Sequence, residues 1–158
     1  MESQERVARL ALAEAVAREG GATALSYFNR RDTLVVETKY DLQDVVSIAD
    51  REVEQLIASR IRDAFPDDGF LGEETGLQAG TSDYTWVVDP IDGTSPFLNG
   101  MPSWCVSVEV LRDDVPVIGV IFAPTSEECY VAALGQGATL NGRRLQADPA
   151  GTLQNHVT

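Results

Sequence analysis

The chain has 158 residues and a formal net charge of −13, with 44% hydrophobic and 23% charged residues. That length suits one domain of ordinary size with a sizeable core, and the composition is that of a globular protein. The acidity argues against nucleic acid, whose binders are usually basic, and no apolar run approaches the roughly 18 residues a membrane helix needs.

Taken in chain order, the first residues are polar and do not read as a signal peptide. Residues 4–19 predict a helix, with Val7, Leu10 and Ala11 at helical spacing and Ala13 and Ala17 continuing the stripe, which Glu14 interrupts. Gly20-Gly21 predicts a stop, followed by a second helical piece over about 22–29. Residues 33–39 are apolar and β-branched and predict a strand. A further helix carries Val53, Leu56, Ile57, Ile61 and Ala64 at helical spacing, with Arg51, Glu52, Glu54, Arg60 and Arg62 around them. Ser47 and Asp50 resemble a capping pair near its start. Residues 66–69 end it in a turn. Phe70, Leu71 and Gly72 predict a short strand that runs into Glu73-Glu74, residues 76–82 read as loop, and residues 85–88 as a buried strand.

After Trp104 the pattern is β. Residues 105–111 alternate, with Val106, Val108 and Val110 on one face. Residues 112–114 are a turn, and 117–122 and 129–133 are further strands. Asn141-Gly142 between short apolar pieces is a strong hairpin signal. Helices first and hairpins later predict α+β layering on a largely antiparallel sheet. Cys105 and Cys129 lie in strand-like runs and read as buried thiols rather than a bridge, so a cytoplasmic setting is the default expectation.

Chemistry concentrates in residues 86–100, WVVDPIDGTSPFLNG. An apolar strand delivers Asp89; Asp92, Gly93 and Thr94 follow; Ser95 and Pro96 read as the first turn of a helix, where proline is tolerated. Two carboxylates three residues apart can converge on one cation. The N–H groups of Gly93, Thr94 and Ser95 at a helix start can hold a phosphate. The competing reading is a plain strand-to-helix turn, with aspartate as cap and glycine as hinge. Charge distribution favours the first. From residue 63 to 111 there is no Lys or Arg, against nine acids, and Glu73, Glu74, Asp89 and Asp92 are embedded in apolar or turn sequence. Asp44 and Asp50, Glu73 and Glu74, and Asp89 and Asp92 form three acidic elements able to meet. Hard oxygen ligands select Mg²⁺, Mn²⁺ or Ca²⁺ over Zn²⁺. Such ions can generate a hydroxide and neutralise a phosphate oxyanion, while a carboxylate orients the Thr94 hydroxyl.

The D-P-I-D-G-T-x-x-F core of residues 89–97 resembles the first signature of the inositol monophosphatase family, among the lithium-sensitive, Mg²⁺-dependent sugar phosphatases. Three further stretches agree in order: Lys39 with residues 44–50, the G-E-E-T of residues 72–75, and the late hairpin of residues 135–142. The resemblance implies hydrolysis of a small phosphorylated polyol such as inositol monophosphate, with about two or three Mg²⁺ ions as cofactor. It implies that Glu73 ligates a first metal and helps activate water, and that Asp89 bridges two metals. The Ile91 carbonyl would join the first metal and Asp92 would hold the second. Thr94 with Asp50 would orient the water. Glu74 would be an outer ligand, Asp44 is the loosest candidate, and Lys39 is a structural residue or a distant phosphate contact.

Nothing after Gln146 resembles the family's second signature, a Trp-Asp pair opening a Gly- and Ala-rich helix. The expectation is an N-terminal metal- and phosphate-binding domain over 1–146, with an irregular tail over 147–158 where a second domain would begin. Such a chain would lack one metal ligand, and its activity is in question. An apolar face would be left open, which predicts a homo-oligomer. His156 falls in the tail and reads as solvated. Residues 97–104, F-x-x-G-x-P-x-W, also resemble histidinol-phosphate phosphatases, and a 3′-phosphonucleotide phosphatase is a lesser alternative. A cation-binding module without turnover is the reading from another class.

Overall fold

A computed structural model describes residues 2–38 and 41–147. Two helices come first: α1, Glu2–Thr38, and α2, Leu42–Ala64. Then follow β1 (Gly69–Gly72), β2 (Gly76–Gln78), β3 (Tyr84–Asp92), the short α3 (Thr94–Leu98), β4 (Cys105–Arg112), β5 (Val115–Ala123), β6 (Glu128–Ala133), β7 (Gly137–Leu140) and β8 (Arg143–Arg144). The strands form one sheet in the order β2-β1-β3-β4-β5-β6-β7-β8. Among the described residues only β1 with β3 pairs in parallel; the other pairings are antiparallel. The α+β architecture is the one expected.

Helix α1 corrects two sequence expectations. Gly20-Gly21 does not stop it, and residues 33–38 continue it instead of forming a strand; Lys39 lies outside the described residues. The glycines serve packing. A Cβ on Gly20 would stand 3.0 Å from Val53 and Ile57 side-chain atoms, and one on Gly21 would stand 2.4 Å from the Phe122 ring. Without side chains, Gly20 lets α1 close on α2 and Gly21 lets it close on β5. The β-branched run at the end is carried along because its helix-propensity penalty, a few tenths of a kcal/mol per residue, is small beside that of nucleating a new element. The buried stripe of α1 is Arg9, Ala13, Val16, Ala17, Gly20, Gly21, Ala24 and Phe28, while Val7 and Ala11 are exposed.

Helix α2 starts earlier than Ser47. Asp41 caps it, its side chain accepting from Asp44 N–H at 2.8 Å while Asp44 accepts from Asp41 N–H at 3.1 Å. This reciprocal box satisfies amides left over at a helix start. Residues 76–82 hold strand β2, which pairs with β1. The turns behave as their residues require: Asp113-Asp114 and Asn141-Gly142 all take positive φ, as two-residue hairpins demand.

The core lies between the helices and one face of the sheet. Val106, Val108 and Val110 of β4 are buried, as the alternation predicted, and so are Ile118, Val120 and Phe122 of β5. Alternate residues point the other way and line a shallow groove of about 390 Å³ that includes Ser107, Glu109, Ile121 and Tyr130. At the far edge Arg9 donates twice to Asp68, at 2.8 Å each, between the rings of Phe65 and Tyr84. Asp68 also accepts from Trp86 Nε1 and Ser82 Oγ.

Candidate functional site

Three elements bring acids to one end of the sheet. β1 and β3 run in parallel with Gly72 opposite Val88, so Glu73 and Asp89, the next residue of each, leave the pairing side by side. Strand β3 continues past Asp89, which corrects the expected turn. Asp89 pairs with Ser107 and Asp92 with Cys105, so three steps on β3 match two on β4. In a regular strand, residues three apart point to opposite faces. The extra residue, at Pro90-Ile91, is a bulge that returns Asp92 to the face of Asp89. From the helix layer, α2 adds Asp50 and, four residues on, Glu54; both are buried.

The turn after the bulge depends on Gly93, whose φ is +99°. A Cβ there would stand 2.9 Å from the Ser103 carbonyl oxygen, so neither its conformation nor the space admits another residue. Thr94 then begins α3. Its hydroxyl lies 3.5 Å from the Ile91 carbonyl oxygen. Phe28, Phe97 and Trp104 pack their rings with centroids 4.9–5.4 Å apart, which anchors α3 to α1 and to the start of β4.

The electrostatics are one-sided. Burial pushes the Asp50 carboxyl up to about 7, helped by the nearby charges of Glu73, Asp89, Glu74 and Glu54. Asp89 is also raised, first by burial and then by Glu73 and Asp92, against a backbone hydrogen bond from Ile91 that favours its charged form. Asp50 Oδ1 and Asp89 Oδ1 are buried without a hydrogen-bond partner. Cys105 Sγ lies 3.9 Å from Asp92 Oδ2, and burial with the two aspartates pushes its thiol up to about 11, so it stays protonated. Among the described residues no group of three or more His, Cys, Asp or Glu side chains is gathered tightly enough to hold a metal ion as it stands. The donors fit a hard cation nonetheless: they are oxygens, two are buried and unpartnered, and their neighbours are like charges that a cation would offset.

Glu73, Asp89, Asp92, Asp50, the Ile91 carbonyl and the start of α3 thus share one end of the sheet. Asp44 does not join them, since its carboxylate is spent on the helix cap. His156 and Lys39 lie outside the described residues. Glu54 was not singled out from the sequence. Its carboxylate accepts Glu74 N–H at 2.8 Å and Thr75 N–H at 2.9 Å. The available signal was its position three residues before Ile57, an acid within the apolar stripe.

The model of the Inositol monophosphatase family matches residues 5–158. The chain is 40% identical over 143 residues to the Nus factor SuhB of Xylella fastidiosa, covering 88% of this chain and 51% of that protein. It is 38% identical over 137 residues to a histidinol-phosphatase of Chlorobaculum parvum, covering 87% and 52%. Among solved structures, the inositol monophosphatase from Anabaena (Nostoc) superposes with a TM-score of 0.77 at 30% identity, over 94% of this chain and 52% of that one. The chain spans about half the length of the curated relatives it matches.

Proposed function

The chain belongs to the inositol monophosphatase family, and from that premise we propose that it carries the metal- and phosphate-binding half of a Mg²⁺-dependent phosphomonoesterase acting on a small phosphorylated polyol. Glu73, Asp89, Asp92 and the Ile91 carbonyl would hold the metal ions. Bound Mg²⁺ supplies a positive centre that neutralises phosphoryl oxygens and makes water more acidic. The N–H groups of Gly93, Thr94 and Ser95 would receive phosphate oxygens at the start of α3. Asp50 and the Thr94 hydroxyl would orient the attacking water.

The observation that supports this best is the pair of buried, unpartnered oxygens, Asp50 Oδ1 and Asp89 Oδ1, among other carboxylates. Such an arrangement is costly unless a cation or proton offsets it. Titration calorimetry of this chain with Mg²⁺ tests it: binding is expected, and its survival unchanged in Asp89→Asn would sink the proposal. Phosphate release from inositol monophosphate and from histidinol phosphate, assayed together, ranks the substrates. The F-x-x-G-x-P-x-W stretch and the histidinol-phosphatase relative favour the second substrate if it turns over faster. Mg²⁺ binding without release of either phosphate would favour a cation-binding module.

A further inference from the structure

Glu54 has no part in the reading above, yet its side chain is completely buried. An ionised carboxylate in that position is destabilising unless its oxygens are satisfied. Both are satisfied by one short segment: Oε2 accepts Glu74 N–H at 2.8 Å and Oε1 accepts Thr75 N–H at 2.9 Å. The fit leaves no slack, because a Cβ on Gly72 would stand 2.4 Å from Glu54 Cδ. The end of β1 lies directly against the carboxyl group. Glu73 itself is exposed, so packing does not hold its side chain. What is held is the backbone on either side of it.

We infer that Glu54 is a positioning residue: by clamping the Glu74 and Thr75 amides from α2 it fixes the direction in which Glu73 leaves β1, and so sets the site's affinity for a divalent cation. This rests on the metal-binding role proposed for Glu73. Asp50 and Glu54, one helical turn apart, divide the work. Asp50 offers an unpartnered oxygen to the site, while both oxygens of Glu54 are bonded to the backbone that presents a ligand. Groups behind a metal ligand act by orienting it, and losing one weakens metal binding without removing a ligand.

Mn²⁺ is the probe, with free ion counted by electron paramagnetic resonance on the 158-residue chain. Glu54→Gln keeps the volume but turns one acceptor into a donor facing an N–H. Glu54→Asp keeps the charge but is one methylene short of the amides. Both are expected to raise the Mn²⁺ dissociation constant by about 10–100-fold, at temperatures where circular dichroism reports them folded. Both should also speed hydrogen exchange at the Glu74 and Thr75 amides. Wild-type affinity in Glu54→Asp would mean that charge alone matters, and wild-type affinity in both would leave Glu54 a purely structural residue; either overturns the inference. If neither variant folds, the wild-type chain decides. Its Glu74 and Thr75 amides should be protected although both residues are exposed, and exchange at the free rate overturns the clamp. A wild-type chain that binds no Mn²⁺ would refute the metal reading, while the exchange measurement would still judge the clamp separately.

Discussion

Asp50 and Glu54 are both buried on the same face of α2, yet their carboxylates are used differently. The difference is in their partners: Glu54 accepts two amides, whereas Asp50 is buried beside four carboxylates and has an oxygen without a donor. This gives a pH dependence of defined sign. The folded pKa of about 7 lies above the ordinary 3.8, so the folded chain binds this proton more tightly than the unfolded one. The stability it contributes is fully present below the ordinary value and is lost as pH rises through about 7. In EDTA, the melting temperature should therefore fall over that window, and Asp50→Asn should flatten the fall. An Asp50→Asn profile with the wild-type slope would assign the effect to another group. Added Mg²⁺ should restore wild-type stability at the upper end, since cation and proton relieve the same repulsion.

At the level of elements, the glycine pair in α1 shows what a one-dimensional pattern leaves out. Glycine is a helix breaker by propensity and a spacer by packing, and only the neighbours at Val53, Ile57, Phe122 and Pro124 decide which. Gly21→Ala raises helix propensity but drives a methyl group into the Phe122 ring. It should destabilise the fold by about 1–3 kcal/mol in urea titration; a gain in stability would return the glycine to its role as a weak point. Legibility elsewhere follows the same rule. The hairpins and the alternating β4 were readable because their signals are local. Asp89 and Asp92 were readable as a pair, but the bulge that puts them on one face was not, because it exists only in the pairing with Ser107 and Cys105. Glu54 was hidden since a charged helical residue ordinarily faces water, and its burial depends on a turn twenty residues further on.

For the molecule as a whole, the helices cover one face of the sheet, while Ile121 and Tyr130 stand 45% and 37% exposed on the other. Exposed apolar side chains grouped on one surface favour association. The sedimentation coefficient of the isolated chain is therefore expected to rise with concentration in the micromolar range, and Ile121→Lys to suppress the rise. A profile independent of concentration would count against it. The same surface lies beside Ser107, the partner of Asp89, so association and ligand binding at the acidic end can be compared on one sample.

Strand β1 is only four residues long, yet it is fastened at both ends by different helices. Asp68, just before it, is gripped by Arg9 of α1; the Glu74 and Thr75 amides, just after it, are gripped by Glu54 of α2. A strand so short, with glycine at each end, could slide by one residue along β3 at little cost in hydrogen bonds, and that slide would turn every side chain to the opposite face. Here it would tear a buried ion pair and a buried carboxylate clamp together. The two helices thus act as end stops, and the alignment of Glu73 beside Asp89 is guarded against slippage from both ends of β1.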